Sequence, residues 1–380
     1  MVFLKRMVWF SALLLLCGPL LVQLAGHPLG KPLKGWQPLP ERDALSWENW
    51  AKGNWQSYTE EQARHQLKAR PFLARLNNQL KYSLFGQLNS RHVIQGKNGN
   101  LYEEPYIRSY LGMDYQGEKS IAENVAMLKT INDSLEANGT HLLFVLSSGK
   151  ASFMPEHFPP PYDTMAKHTS NYETYRKHLQ QSGIPTLDLN QYLLDMKDTA
   201  SYKLYTKGNT HWSAYALYAV TDTLLRKIEQ MLGKDLPDYR YGPLVVESQA
   251  RGLDDGIFQS LNLLWTTQKD EYAYRDIILE PTQLPGVYRP RVWAIGDSFY
   301  GTLMDAGIPH RFFDPNSLFL YYFNEVQTLD GRTYPLKEVE KQRREMENQD
   351  LILIFITEAN IGDCCWGMTG AFHRMYHEKE

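Results

Sequence analysis

Runs of apolar residues alternate along most of the chain with segments in which apolar residues recur at helical spacing. The apolar runs predict buried strands at 141–146, 184–189, 291–295 and 351–357, and the helical spacing predicts helices at 119–138, 169–181 and 213–231. Strands that alternate with helices are typical of a mostly parallel sheet covered by helices on both faces. The pattern therefore predicts an α/β fold.

The N-terminus carries the longest apolar stretch. Lys5 and Arg6 precede an apolar run over 7–25, which is roughly the length that crosses a bilayer as a helix. Two cations before the run favour an N-terminus on the cytoplasmic side. A cleaved signal peptide is the alternative, because small residues end the run. Residues 1–26 are thus a predicted signal anchor or signal peptide, and either one places the rest of the chain outside the cytoplasm.

A linker and a helical leader separate this segment from the α/β pattern. Residues 27–40 are rich in proline, glycine and lysine, and residues 43–88 show helical spacing. The segment 91–102 has the pattern of two short strands around a glycine turn. We therefore assign 27–90 to the linker and leader, and 91–380 to a single α/β domain.

Composition and charge narrow the classes of function. Hydrophobic residues make up 43% of the chain and charged residues 22%, with a net charge of −3, which is ordinary for a globular protein and gives no general attraction to nucleic acid. Cys17, Cys364 and Cys365 lack the spacing of a disulfide framework or a zinc site, and no nucleotide-binding glycine pattern is present. We expect no metal, no cofactor and no nucleic-acid partner. The aromatic content of 13% fits either a ring-rich core or a surface that holds sugar rings.

Two segments carry the residues best suited to chemistry. The predicted strand at 291–295 runs into Gly296-Asp297-Ser298, which places Ser298 at the carboxyl edge of the sheet, where open α/β folds bind ligands. His211 lies in a loop just before a helix whose predicted N-cap is Ser213. A serine needs an adjacent base to become a nucleophile, and the histidine in turn needs a group that orients it. Asn209, two positions earlier in the same loop, can supply that group.

These segments resemble a known family. The G-D-S turn, the N-T-H-W-S segment at 209–213 and the G-K-A-S-F-M-P-E segment at 149–156 resemble the alginate O-acetylation proteins of the AlgJ/AlgX type, and 96–101 is similar to an element that precedes their catalytic domain. The resemblance implies an SGNH-hydrolase-like fold and transfer of acetyl groups onto an exported polysaccharide by a Ser–His–Asp triad. It implies Ser298 as the nucleophile and His211 as the base. It also implies a membrane-bound O-acyltransferase partner and a location on the periplasmic side of the inner membrane.

The sequence departs from the family at Asn209, where the D-x-H pattern has an aspartate. In serine proteases an Asp→Asn change at the orienting position lowers the rate about 10⁴-fold, or roughly 5.4 kcal/mol of barrier. Three explanations are open: Asn209 suffices for slow chemistry, another carboxylate replaces it, or the domain binds without catalysing. Asp254 and Asp255, in a turn-like G-L-D-D-G segment, are candidate replacements, although a solvated turn is the simpler interpretation.

Other residues are candidates for binding the substrate. Lys150 follows a predicted strand, where it can meet an anionic group or a carbonyl, or can be an ordinary surface lysine. Tyr321, Tyr322 and Trp366 can line a sugar groove or belong to the core. Of these we select Lys150 and Tyr322 as predicted substrate-binding residues.

The leading functional hypothesis is O-acetyl transfer to hydroxyl groups of an exported or cell-surface polysaccharide through an acetyl-serine intermediate. A carbohydrate acetylesterase would use the same residues with water as the acceptor. A glycan-binding subunit of an acetylation complex would keep the groove without turnover, and Asn209 makes that alternative credible.

Overall fold

The computed structural model of the chain describes residues 2–35, 45–252, 254–265, 270–280, 287–336 and 343–377. The chain divides into two compact units, one of Met1–Arg91 with Gly256–Gln268, and one of His92–Asp255 with Lys269–Glu380. The segment Gly256–Gln268, which the sequence analysis left within the α/β domain, groups with the leader, since its Leu261 carbonyl accepts a hydrogen bond from Asn78 at 2.9 Å.

The helices and strands follow the predicted alternation through the larger unit. The helices are α1 (Val2–Ala25), α2 (Trp47–Ala51), α3 (Asn54–Gln66), α4 (Arg70–Phe85), α5 (Glu104–Tyr110), α6 (Glu118–Ala137), α7 (Lys150–Phe153), α8 (Asn171–Ser182), α9 (Leu189–Asp195), α10 (Ala214–Leu232), α11 (Gly256–Ser260), α12 (Ser298–Asp305), α13 (Ile308–Phe312), α14 (Arg343–Glu347) and α15 (Met368–His377). The strands are β1 (Val93–Gln95), β2 (Leu101–Glu103), β3 (His141–Ser147), β4 (Thr186–Asp188), β5 (Tyr239–Tyr241), β6 (Val245–Glu247), β7 (Tyr272–Tyr274), β8 (Ile277–Leu279), β9 (Val292–Gly296), β10 (Leu318–Tyr321), β11 (Glu325–Thr328), β12 (Thr333–Pro335) and β13 (Leu351–Thr357).

The first unit is helical. Helices α2, α3 and α4 confirm the helical spacing predicted for the leader, as far as that segment is described. The N-terminal helix α1 is bent by 43° between Lys5–Leu13 and Cys17–Ala25. Pro19 explains the bend, because it removes the hydrogen bond to the carbonyl four residues earlier, in the break between the two halves. Among the described helices, no single one is long and apolar enough to cross a membrane, and only these two halves taken together meet that requirement by length and composition.

The second unit is built on a seven-stranded sheet in the order β12-β11-β10-β9-β13-β3-β4. The strands from β10 to β4 are parallel, whereas β11 and β12 extend the sheet as antiparallel strands. The predicted mostly parallel sheet is therefore confirmed. The prediction did not include the antiparallel extension, which consists of short strands with polar and exposed residues.

Both faces of the sheet are covered, which explains the continuous apolar runs of its central strands. Along β13, Leu351, Leu353 and Phe355 lie in one hydrophobic core, and Ile352 and Ile354 lie in the other. The first core is completed by helices α5, α7, α9, α10 and α12, and the second by α6, α8 and α15. The helices on both faces confirm the predicted layering.

The topology brings the ends of several parallel strands to one edge of the sheet. The carboxyl ends of β10, β9, β13 and β3 are neighbours there, since β9 pairs with both β10 and β13, and β13 pairs with β3. The hairpin of β1 and β2, which confirms the two strands predicted at 91–102, joins this edge because the Leu101 N–H donates to the Lys207 carbonyl at 2.9 Å. The polar segments that follow these strands form the candidate site.

Candidate active site

The turn after β9 is shaped by glycine and aspartate. A Cβ added to Gly296 would lie 2.7 Å from the Phe355 carbonyl oxygen of the adjacent strand, so a larger residue does not fit there. The next residue, Asp297, caps α12 by accepting a hydrogen bond from the Phe299 N–H at 3.0 Å. Ser298 is then the first residue of α12, where backbone N–H groups have no partner within the helix. The turn therefore presents a serine hydroxyl at the N-terminus of α12.

Asp297 is a structural carboxylate that the sequence analysis did not single out. It is fully buried, and its Oδ2 accepts hydrogen bonds from the Thr357 N–H at 2.9 Å, the Thr357 hydroxyl at 2.7 Å and the Asn360 amide at 2.9 Å. Burial raises the pKa of this carboxyl, while the donors from Asn360 and Thr357 oppose the shift. Asp297 thus ties the serine turn to the end of β13. Its position in the G-D-S turn is the signal that could have revealed it.

His211 lies against Ser298. The distance between His211 Nε2 and Ser298 Oγ is 2.9 Å, and the His211 ring packs edge-on against Phe299 with 4.6 Å between centroids. The next residue of the loop, Trp212, donates from Nε1 to the Thr302 hydroxyl of α12 at 3.0 Å. Burial lowers the pKa of His211 to about 4, so the imidazole is neutral near pH 7 and can accept a proton. The structure brings together the two residues selected as the reactive pair.

The predicted N-cap of the following helix is also confirmed. The Ser213 hydroxyl accepts a hydrogen bond from the Ala216 N–H at 3.2 Å and donates to the Lys203 carbonyl at 2.6 Å. Because both ends of the loop are held, His211 has a fixed backbone position relative to α10.

Lys150 holds the beginning of the same loop. Its side chain is buried, and its ammonium donates to the carbonyls of Leu101 at 3.0 Å, Thr206 at 2.7 Å and Lys207 at 2.7 Å. Burial lowers the pKa of Lys150 well below its usual value. An ammonium has three N–H donors, and all three have carbonyl partners here. The geometry therefore corrects the assignment of Lys150 to substrate binding: it places Lys150 as a clamp between β2 and the histidine loop.

The group that orients His211 is not evident from the hydrogen bonds. Among the residues that the structure describes, Ser298 is the one hydrogen-bond partner of the His211 ring. Asn209 is buried in the same loop. Asp254 instead accepts from the Ala214 N–H at 3.1 Å, and burial raises its pKa to about 6, while Asp255 is half-buried beside it. Asn209 lies two residues before His211, and Asp254 contacts the chain three residues after it, at Ala214, but neither is bonded to the His211 ring.

Two acidic residues near this edge were missed. The carboxyl of Glu103, at the end of β2, faces the Thr210 hydroxyl, and burial raises its pKa. Glu358 directly follows β13 and is buried, and burial raises its pKa to about 8. A Cβ added to Gly149 would lie 2.6 Å from Glu358 Oε1, so this glycine makes room for the carboxyl. A charged residue directly after an apolar strand is the sequence signal that both share.

Aromatic rings border Ser298 on the β10 side. The Tyr322 N–H donates to the Gly296 carbonyl at 2.9 Å, and the Tyr322 side chain interacts with Ser298. Burial raises the pKa of Tyr322, so its hydroxyl stays protonated and can donate a hydrogen bond. The Tyr322 ring meets Trp366 with 5.1 Å between centroids at 81°, and it meets Tyr321 with 4.5 Å between centroids. Tyr322 therefore lies beside the serine turn, and its role in substrate binding stays a prediction.

The described residues contain no group of three or more His, Cys, Asp or Glu side chains arranged to hold a metal ion. The sulfur atoms of Cys364 and Cys365 lie 3.7 Å apart, which is too far for a disulfide bond.

A mostly parallel sheet with helices on both faces, in which β9 ends in the G-D-S turn, defines an α/β domain with its candidate site at the carboxyl edge. Residues 93–276 match the family described as "SGNH hydrolase-like domain, acetyltransferase AlgX". The matched region includes Lys150, Asn209 and His211 and ends before Ser298. Over these residues the chain is similar to the AlgJ/AlgX type, which confirms the family resemblance seen in the sequence.

Two curated relatives are similar to part of the chain. The chain is 25% identical over 150 residues to the probable alginate O-acetylase AlgJ of Azotobacter vinelandii, an alignment that covers 40% of this chain and 37% of the relative. It is 25% identical over 134 residues to the protein of the same name from Pseudomonas syringae pv. tomato, covering 35% of this chain and 32% of the relative. The chain therefore spans about a third of the length of these curated relatives.

Among solved structures, the O-acetyltransferase domain of Pseudomonas putida AlgJ aligns with a TM-score of 0.43 at 14% identity, covering 74% of this chain and 98% of that domain. Pseudomonas aeruginosa AlgX aligns with a TM-score of 0.44 at 12% identity, covering 75% of this chain and 70% of that one.

Proposed function

We propose that this protein transfers acetyl groups to hydroxyl groups of an exported or cell-surface polysaccharide through an acetyl intermediate on Ser298. The observation that carries the proposal is the 2.9 Å contact between His211 Nε2 and Ser298 Oγ at the carboxyl edge of the sheet. A neutral histidine in contact with a serine hydroxyl is the arrangement that activates serine as a nucleophile. The match to an acetyltransferase family supports acetyl as the transferred group.

The reaction has two symmetrical halves. His211 Nε2 takes the proton from Ser298, Oγ bonds to the carbonyl carbon of the acetyl donor, and the bond to the leaving group breaks as His211 returns the proton to it. In the second half His211 takes the proton of a sugar hydroxyl, whose oxygen bonds to the acetyl carbon, and Ser298 leaves with that proton. The N–H groups at the start of α12 and the neutral Tyr322 hydroxyl are positioned to stabilise the oxyanion in both halves.

A third group must hold the His211 ring in the productive tautomer. Asn209 in the same loop, or a carboxylate at Asp254 or Asp255, is proposed for this role. Asp254 is supported by its contact with the Ala214 N–H, three residues beyond His211, and by the hydrogen bond from Thr206 to its carbonyl at 2.6 Å. Asn209 is supported by its burial beside the histidine.

We also propose that the catalytic domain lies on the periplasmic side of the inner membrane and is held there by the N-terminal helix. Lys5 and Arg6 at the start of α1 support this orientation. A membrane-bound O-acyltransferase partner would then supply the acetyl group from the cytoplasm. A reporter that is active only in the cytoplasm should be silent when fused after Lys52, and activity there would contradict the location.

One assay separates this function from its alternatives. The full-length protein in detergent is supplied with an activated acetyl ester, with and without pyranose oligosaccharides, and Ser298→Ala serves as the control. Formation of acetylated oligosaccharide together with acetylated Ser298 supports transfer. Acetate release that is not reduced when oligosaccharide is added identifies an esterase. Oligosaccharide binding without turnover in either protein identifies a glycan-binding subunit, which the missing aspartate at position 209 favours as the second candidate.

A further inference from the structure

Two segments next to the candidate site hold bulky residues in the left-handed backbone region. Tyr322 and Phe323 have φ angles of 47° and 49°, and Cys365 and Trp366 have φ angles of 63° and 53°. Side chains of this size rarely adopt that region, and such conformations persist where the surrounding structure enforces them. Two adjacent pairs of this kind, on segments that meet, indicate that the position of their side chains matters.

In each pair one residue packs in or against the second hydrophobic core, and the other is a partly exposed aromatic residue, of which Trp366 also packs against that core. Phe323 packs against Phe372 with 5.6 Å between ring centroids, and Cys365 is fully buried. Tyr322 and Trp366 are half-buried, and their rings stand nearly perpendicular at 81° with 5.1 Å between centroids. The left-handed backbone thus brings one partly exposed aromatic ring of each segment against the other.

This corner of two rings lies beside the nucleophile. Tyr322 is tied to the serine turn through its N–H and the Gly296 carbonyl, and its side chain interacts with Ser298. Tyr322 lies between Trp366 and Ser298, so one aromatic ring separates the Trp366 ring from the reacting hydroxyl. A pyranose ring has an apolar C–H face and a rim of hydroxyl groups, so it fits a corner that offers an indole surface and a phenol hydroxyl.

We propose that Trp366 and Tyr322 form the acceptor subsite, in which a pyranose ring of the polysaccharide packs on Trp366 and directs one hydroxyl toward the acetyl group on Ser298. This inference rests on the proposed acetyl transfer and assigns its acceptor specificity to Trp366. The subsite favours a sugar over water because it binds the acceptor while the acetyl-serine is present.

The test uses two apolar variants that differ in shape. Trp366→Leu keeps an apolar side chain against the core but has no flat ring, whereas Trp366→Phe keeps a flat ring. The full-length protein is given an activated acetyl ester and the best acceptor from a panel of neutral and uronic-acid pyranose oligosaccharides, and the ratio of acetyl transfer to acetate release is measured. We expect Trp366→Leu to lower that ratio about tenfold, equivalent to about 1.4 kcal/mol of acceptor binding, and Trp366→Phe to stay within about threefold of the parent. Tyr334→Ala, which removes a ring 45% exposed on the edge strand β12, should leave the ratio unchanged.

The outcomes distinguish a failure of the proposed subsite from a failure of the proposed acetyl transfer. Equal ratios for the Leu and Phe variants overturn the subsite, and so does a parent protein that neither acetylates nor binds any member of the panel. If the parent forms no acetyl-serine but binds an oligosaccharide, the proposed transfer fails. Binding to Ser298→Ala and to its Trp366→Leu double variant then decides the subsite. A loss of affinity of about tenfold in the double variant supports it, and unchanged affinity overturns it.

Discussion

Replacing Lys150 by methionine tests how the histidine loop is held. Methionine has nearly the same length and an apolar stem, but it cannot donate to the carbonyls of Leu101, Thr206 and Lys207 that the Lys150 ammonium now contacts at 2.7–3.0 Å. His211 lies only four residues beyond the last of these carbonyls. The substitution therefore removes the clamp without touching the reactive pair.

The loss in free energy of unfolding follows from the hydrogen bonds that the three carbonyls keep after the substitution. The Lys207 carbonyl keeps the Leu101 N–H at 2.9 Å, so the main losses are at Leu101 and Thr206. A buried carbonyl left without a partner costs about 1–3 kcal/mol, and removal of the buried ammonium, whose pKa is already lowered by burial, offsets part of this. We expect the free energy of unfolding to fall by about 2–4 kcal/mol. Misplacement of the His211 loop by about 1 Å would lower kcat about 10²-fold.

The assay combines urea unfolding with acetyl-ester turnover measured well below the unfolding midpoint. Lys119→Met is the matched control, because the Lys119 side chain is 92% exposed. The expected signature of a positioning role is a lower kcat in fully folded protein, with little change in KM for a small ester. A Lys150→Met variant that loses stability but keeps the parent kcat would show that the clamp is purely structural. A variant that loses neither would refute the reasoning altogether.

Three further predictions concern the titrating groups. Asn209→Asp should raise turnover by up to several orders of magnitude if Asn209 orients the histidine. Asp254→Asn or Asp255→Asn should lower turnover if one of those carboxylates orients the histidine instead. Equal, nonzero rates in the parent and all three variants would contradict both accounts. Because burial lowers the pKa of His211 to about 4, kcat/KM should rise with pH around a midpoint near 4 and be flat near pH 7. A midpoint at the ordinary histidine value in the pH-rate profile would contradict this prediction. Burial raises the pKa of Glu358 from 4.5 to about 8, so the folded protein should lose stability as pH rises from about 4.5 to about 8. Glu358→Gln should remove that loss and be more stable than the parent at pH 9 by up to about 5 kcal/mol in urea unfolding, and equal stabilities would contradict the burial argument.

The central strands could be predicted because they are covered on both faces. Such strands have continuous apolar sequences, and β3, β9 and β13 were each predicted to within a residue or two at either end. The position of Ser298 followed from the same rule, since the residue after a glycine turn at the end of a parallel strand lies at the carboxyl edge. His211 was placed beside it by the chemistry that a serine nucleophile requires, together with the family resemblance.

The features that were not predicted depend on contacts between distant parts of the chain. Lys150 follows a buried strand, as an exposed ligand-binding residue also would, and only the three carbonyls that surround its ammonium show that it is buried. Strands β11 and β12 were missed because they are short and mostly polar, and β12 is exposed throughout, so their pattern resembles that of a loop. Glu358 was missed because its carboxyl occupies space that Gly149 leaves, more than 200 residues away in sequence.

The ionisable groups around Ser298 share one property that bears on the choice between transfer and hydrolysis. Burial lowers the pKa of His211, and it raises the pKa values of Tyr322, Asp297 and Glu358. Each of these shifts has the sign expected where water is excluded from the charged form. Ser298 itself is half-buried, and a sugar hydroxyl bound beside it would have a higher effective concentration than an acceptor that diffuses freely. Acetyl transfer should therefore outpace acetate release whenever an acceptor is bound. Acetate release by the parent that stays dominant at saturating acceptor would identify an esterase.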